Sequence, residues 1–176
     1  LVFTDANTRF DAAAVNELRV PFQDPRVGGV CGRLIFEGPA SAGRELDYWA
    51  RENEWKRAES RADSCVGANG AIYALRRALF WADLPTNTII DDFVIGMKVR
   101  ERGWRMVYRE TALAWEEAPA GWSDEYRRRV RIGSGAFQAL GLCGGCLRPR
   151  YGRFAVMFAL HKVVRWVTPL LGVVLV

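Results

Sequence analysis

Apolar runs of strand length alternate along the chain with longer stretches of helical period. Val2 to Asp5 is a short apolar run ending in a carboxylate, as in a buried strand that delivers its last residue to a site. Asp11 starts a helical stretch, Ala12 to Leu18, which Pro21 closes. Val30 to Phe36 predicts a strand, with Gly28-Gly29 before it and Gly38-Pro39 after it. Arg44 to Arg61 predicts a long helix carrying Tyr48, Trp49 and Trp55 among many charges. Gly67-Ala68-Asn69-Gly70 is a tight turn leading into a strand, Ala71 to Leu75. After a loop at Pro85 to Ile90, Asp91-Asp92 opens a helix that runs to about Arg102, with Gly103 as its C-terminal cap. Met106 to Tyr108 and Leu113 to Trp115 predict two short strands. Ser123 to about Leu140 predicts a basic helix, and from Phe154 onward the chain is mostly apolar. Strands alternating with helices in this way predict an α/β fold with a mixed sheet.

Composition narrows the picture. The 176 residues suffice for one domain or for part of a larger one, and 50% hydrophobic with 26% charged residues excludes a disordered chain. Leu1 to Phe3 already reads as a strand, so no leader is expected before it, and the last apolar run, Trp166 to Val176, stops short. Both ends read as cut from a longer chain. The net charge of +5 favours anionic partners, and most of the excess is local: Arg127, Arg128, Arg129, Arg131, Arg148, Arg150, Arg153, Lys162 and Arg165. Of the four cysteines only Cys143 and Cys146 form a C-x-x-C pair, and no second pair completes a zinc site. A Gly-rich turn with two incidental thiols is the expectation there, in a reducing setting.

Three constellations could carry chemistry. Asp5-Ala6-Asn7, at a strand exit, could face one hard divalent cation, or could simply form an Asx turn. Asp91-Asp92 could cap its helix, or could aim a carboxylate into a cleft as a general base. Arg128 and Arg131 lie three apart and share a helix face, ready to fork onto a diphosphate; a solvated basic face or a patch on anionic lipid is the alternative. Nucleic acid is not expected as a partner, because no binding motif for it is present.

In their order and spacing, Phe3-Thr4-Asp5-Ala6-Asn7-Thr8, Gly67 to Ala74, Asp91-Asp92 and Arg128-x-x-Arg131-Ile132 resemble the family 2 glycosyltransferases, closest to the membrane-bound branch that includes cellulose and hyaluronan synthases. The resemblance runs over nearly the whole chain. It implies the C-terminal half of a GT-A fold, a Rossmann-like mixed sheet that binds a nucleotide sugar and a divalent cation, Mg²⁺ or Mn²⁺. The family's D-x-D metal motif falls on Asp5 and Asn7, with Asn in the second place. The acceptor turn falls on Gly67, Ala68, Asn69 and Gly70, and the catalytic carboxylate on Asp92 with Asp91 beside it. The Q-x-x-R-W motif falls on Arg128 to Ile132, so that Arg131 is the implied diphosphate contact. Arg128 stands in place of Gln and Ile132 in place of Trp, which weakens the case for a processive polymer synthase and leaves a non-processive or short-chain transferase equally open. The implied reaction is inverting transfer to a carbohydrate or lipid-linked hydroxyl.

The flanks extend the expectation. Residues 1–147 would be the catalytic part and 148–176 an interfacial or transmembrane segment of a multi-pass membrane protein with its catalytic domain in the cytoplasm. Phe154 to Leu160 would lie along the membrane interface and Trp166 would begin a span. His161-Lys162-x-x-Arg165-Trp166 suits a membrane boundary, with His161 interfacial rather than catalytic. Tyr48 to Glu54 either borders the membrane or packs aromatic rings on the sheet. The 176 residues alone are expected to be inactive.

Overall fold

The computed structural model describes residues 1–38, 43–117 and 122–168. Its strands are β1 (Val2–Phe3), β2 (Arg9–Phe10), β3 (Val27–Glu37), β4 (Tyr73–Leu75) and β5 (Arg105–Glu117). Its helices are α1 (Ala14–Arg19), α2 (Gly43–Ala62), α3 (Asp91–Glu101), α4 (Trp122–Cys143) and α5 (Arg153–Phe158). A π-helical segment, Ala159–Val163, continues α5.

The described strands make one mixed sheet in the order β1-β4-β3-β5-β2. The central β3 pairs parallel with β5 and antiparallel with β4, through Gly29 with Leu75 and Cys31 with Tyr73. β1 extends the sheet beyond β4, and β2 pairs with the far end of β5, Phe10 facing Ala114. The two short strands expected at Met106–Tyr108 and Leu113–Trp115 are one strand. Pairing with β3 continues across a register shift, in which Arg109 opposes Gly32 and Leu113 already opposes Arg33. Glu110, Thr111 and Ala112 between them fall out of the ladder, which breaks the sequence alternation without ending the strand.

Period-two alternation sorts the sheet's side chains onto two faces. Val30, Leu34 and Phe36 of β3 join Ile72, Ala74, Val107 and Ala114 in a core closed by Ala14 and Leu18 of α1. On the other face Cys31, Tyr73, Leu75 and Met106 pack against Ile95 and Val99 of α3. Trp49 of α2 lies against Phe36, ring centroids 5.2 Å apart, so of the two readings of Tyr48 to Glu54 the ring packing on the sheet is realised at Trp49. Gly103, at φ +86°, follows α3 as its expected cap.

A third apolar cluster joins α3, α4 and α5 through Phe93, Met97, Ala139, Cys143, Cys146, Phe154 and Phe158. Both cysteines of the C-x-x-C pair are therefore core residues, and burial pushes their thiols up to about 12. Phe154 and Phe158 are fully buried, which corrects the expectation that Phe154 to Leu160 lies wholly at an interface. The helix has two faces: Val156, Leu160 and Val164 point outward. No described helix is long and apolar enough to cross a membrane. A span was expected to begin at Trp166, and of the run to Val176 the residues after Thr168 lie outside the described residues.

Candidate functional site

One cavity of about 360 Å³ collects the sequence-predicted residues from four separate segments. Asp5 enters from the loop after β1, Ala68, Asn69 and Gly70 from the turn before β4, Asp91 and Asp92 from the first turn of α3, and Arg128 and Arg131 from α4. Eight of the ten sequence-predicted site residues thus share one space. Gly67 and Asn7 do not line it. Asn7 is exposed beyond Asp5, where Thr8 N–H closes a turn on the Asp5 carbonyl at 3.2 Å.

Two glycines set the distances. Gly67 adopts φ +78°, and a Cβ there would lie 2.4 Å from the Phe93 ring, so the turn presses directly on α3. At Gly70 a Cβ would lie 3.1 Å from Asp92 Oδ2 and 3.5 Å from Asp5 Oδ2. Gly70 therefore stands between the two carboxylates, and its missing side chain leaves them a common space.

The electrostatics follow from that crowding. Burial raises the Asp92 carboxyl above its ordinary value, and the Asp91 charge adds to the rise. The N–H groups of Phe93 and Gly70 and the charge of Lys56 pull the other way. Asp5 is raised by desolvation and by Asp91, and lowered by Arg131. Burial and then Asp92, Asp91 and Asp5 raise the phenol of Tyr73, which keeps it neutral beside them. The Asn69 side-chain Nδ2 is buried in the cavity wall and has no hydrogen-bond partner among the described residues.

Opposite the acids, α4 supplies the cations. Arg128 lies over the Trp49 ring at 5.9 Å, and Arg131 Nη1 reaches the Ile89 carbonyl at 3.5 Å. Gln138 grips the same segment twice, accepting from Ile89 N–H at 2.9 Å and donating to the Asn87 carbonyl at 3.0 Å. Lys162 and Arg165, from the continuation of α5, line the cavity as well.

Residues 1–176 match the family described as Glycosyl transferase family group 2. The chain belongs to the family 2 glycosyltransferases. No curated protein sequence matches it significantly. Among solved structures it is similar to the mannosyltransferase PcManGT from Pyrobaculum calidifontis, in complex with GDP-Man and Mn²⁺, at 22% identity and a TM-score of 0.60. That match covers 80% of this chain and 37% of the other, so the chain spans well under half of that protein's length. The likeness is one of fold: a mixed α/β sheet flanked by helices, as in GT-A glycosyltransferases.

The cavity also holds residues that sequence reasoning missed. Glu52, Lys56 and Lys162 line the cavity and are buried. Lys162 is ion-paired to Glu52, and Arg165 Nη1 reaches the same carboxylate at 3.3 Å. Glu52 is held well below the ordinary carboxylate range: burial opposes its charge, and Lys162 and His161 outweigh burial. His161 was expected at an interface and is instead buried, with Glu59 2.6 Å from Nδ1 and Glu52 3.3 Å from Nε2. A signal was present in α2. Glu52, Lys56 and Glu59 recur at i, i+4 and i+7, which places three charges on one helix face, and a buried stripe of that kind requires charged partners.

Proposed function

We propose that this domain transfers a sugar from a nucleotide-sugar donor to an acceptor hydroxyl by direct, inverting displacement, with Asp92 as the general base. The observation that carries this reading is the convergence of Asp5, Asp92 and Arg131, from three distant segments, on one cavity. Asp92 takes the acceptor proton as the hydroxyl oxygen attacks the anomeric carbon. The bond to the diphosphate breaks on the opposite face, and the leaving diphosphate carries its charge toward Arg131 and Arg128. The raised Asp92 carboxyl suits the role, since a base works best near the operating pH. Asn69 Nδ2, a buried donor with no partner among the described residues, is available to an acceptor hydroxyl.

A divalent cation, Mg²⁺ or Mn²⁺, fits the oxygen donors only in part. Asp5 would hold it with Asp91 nearby; no cluster of three His, Cys, Asp or Glu suited to a metal occurs among the described residues. The remaining places would fall to substrate phosphate and water, as hard cations commonly accept. Bound there, the ion would supply positive charge to the diphosphate. The Mn²⁺ and GDP-Man of the similar mannosyltransferase support this reading.

A membrane surface is the partner proposed for the outer face. Tyr126, Val130 and Phe137 form one exposed apolar stripe on α4, and Val156, Leu160 and Val164 another on the last helix. Exposed Arg127, Arg148, Arg150 and Arg153 flank them. Apolar stripes bordered by arginine suit the boundary of an anionic bilayer, and a lipid-linked acceptor would be presented there.

The test uses the full-length protein in membranes, with nucleoside diphosphate release measured from a panel of nucleotide sugars with Mg²⁺ or Mn²⁺. Asp92→Asn should lower turnover about 10²- to 10⁴-fold, the range a general base supplies. Undiminished turnover removes Asp92 as the base.

A further inference from the structure

Behind the acceptor turn runs a chain of buried polar contacts that the proposed reaction does not use. His161 is 8% exposed and its ring stacks on Trp55, centroids 5.3 Å apart. Its two nitrogens face two carboxylates, Glu59 at 2.6 Å and Glu52 at 3.3 Å. Either carboxylate can accept from a ring N–H. The other oxygen of Glu59 accepts the Val66 N–H at 2.9 Å. Lys56, on the same face of α2, donates to the Gly67 carbonyl at 3.3 Å. The Val66–Gly67 backbone is therefore held by α2 side chains on one side, while Gly67 presses on Phe93 on the other. Three residues later Gly70 meets Asp92 and Asp5.

We propose that His161 is a positioning residue for the acceptor step, acting through Glu59 on the Val66–Gly67 backbone and so on the place of Gly70 beside Asp92. The inference rests on reading the cavity as a sugar-transfer site. Stability alone is a poor reason for such a cluster. Taking several charges out of water costs about what their pairing returns, and apolar replacements of similar volume are often as stable. Directional contacts do provide a fixed geometry, and here their far end is the turn that must set the acceptor against the base.

The experiment uses the full-length protein in membranes with His161→Ala, His161→Gln and Glu59→Gln. It reads the KM for acceptor and for donor separately, together with amide hydrogen exchange of the segment holding Val66 and Gly67. His161→Ala should raise the acceptor KM about tenfold, equivalent to about 1.4 kcal/mol, and speed exchange in that segment. The donor KM should move less than about twofold. Glu59→Gln, which keeps a carbonyl for Val66 but offers no charge to His161, should fall between wild type and His161→Ala. His161→Gln, whose amide can still donate to Glu59, should recover most of the acceptor affinity. Transfer with an unchanged acceptor KM in His161→Ala overturns the inference alone, as do equal rises in both KM values or unchanged exchange. Absence of sugar transfer by the wild type overturns the reading of the site and the inference with it.

Discussion

Gly70→Ala should separate catalysis from folding. The added methyl carbon would lie 3.1 Å from Asp92 Oδ2, 3.3 Å from its Cγ and 3.5 Å from Asp5 Oδ2. Ordinary contacts of a carbon begin near 3.5 Å, so the Asp92 carboxylate must retreat by a few tenths of an ångström. It has little freedom to do so cheaply, because the N–H groups of Phe93 and Gly70 both bond to it. A displacement of about 1 Å at a reacting group costs about 100-fold in rate, and a few tenths should cost several-fold. The methyl also occupies the space shared with Asp5, where an acceptor hydroxyl would sit. Together these should lower kcat/KM for the acceptor at least about tenfold, or about 1.4 kcal/mol. Stability should barely change. Gly70 is not among the glycines with positive φ, so alanine meets no backbone strain, and the stiffer unfolded chain returns about 0.4–1 kcal/mol. The assay pairs steady-state kinetics over acceptor concentration with a thermal melt of the same preparation. A variant with kcat/KM within about twofold of wild type, at unchanged melting temperature, would refute the placement of the acceptor at Gly70.

Gly67→Ala should do the reverse and unfold the turn. Its φ of +78° costs about 1–2 kcal/mol for alanine, and the 2.4 Å approach to Phe93 adds overpacking of about 1–3 kcal/mol, read as a lowered denaturant midpoint. Asp92→Asn should raise stability as it lowers activity. A carboxyl raised above the unfolded value of 3.8 favours the fold below that value, and the advantage is lost as pH rises through the folded value. The variant cannot ionise, so its melting temperature should exceed that of wild type near neutral pH and converge with it in acid. Lys162→Met should destabilise by about 3 kcal/mol in urea titrations, because it takes from the buried Glu52 charge its ion-paired lysine and leaves His161, Arg165 and Lys56 to offset it.

The convergence of eight candidate residues on one cavity was legible in the sequence, and so was the α/β class of the fold around it. Asp5, Gly70, Asp92 and Arg131 are each weak signals, and their spacing along the chain is what tied them together. Local pattern also found β3, α2 and α3 closely, because each has a long apolar or helical period with glycine or a cap at its ends. It failed where a tertiary contact decides the outcome. β2 is two residues, Arg9 and Phe10, and exists only because β5 offers it a partner. β5 was split because a bulge interrupts its alternation. His161 read as interfacial because Lys162, Arg165 and Trp166 follow it and no carboxylate is patterned nearby; its carboxylates come from α2, about a hundred residues earlier, and no local window contains both.

The arrangement of the cavity also explains why the acidic and basic motifs need a fixed relation. Asp91 and Asp92 begin α3, and the segment leading into them, Asn87 to Ile90, is held by α4 through Gln138 and Arg131. The helix that carries Arg128 and Arg131, the proposed diphosphate contacts, is therefore the helix that sets the start of α3. A shift of α4 along its axis would carry the entry to Asp92 with it, keeping base and cations in register. A shift that broke the Gln138 contacts would separate the proposed base from the proposed leaving-group site. Two hydrogen bonds through a neutral side chain outside the recognised motifs thus couple the two halves of the proposed reaction, and charge along the sequence could not have pointed to Gln138.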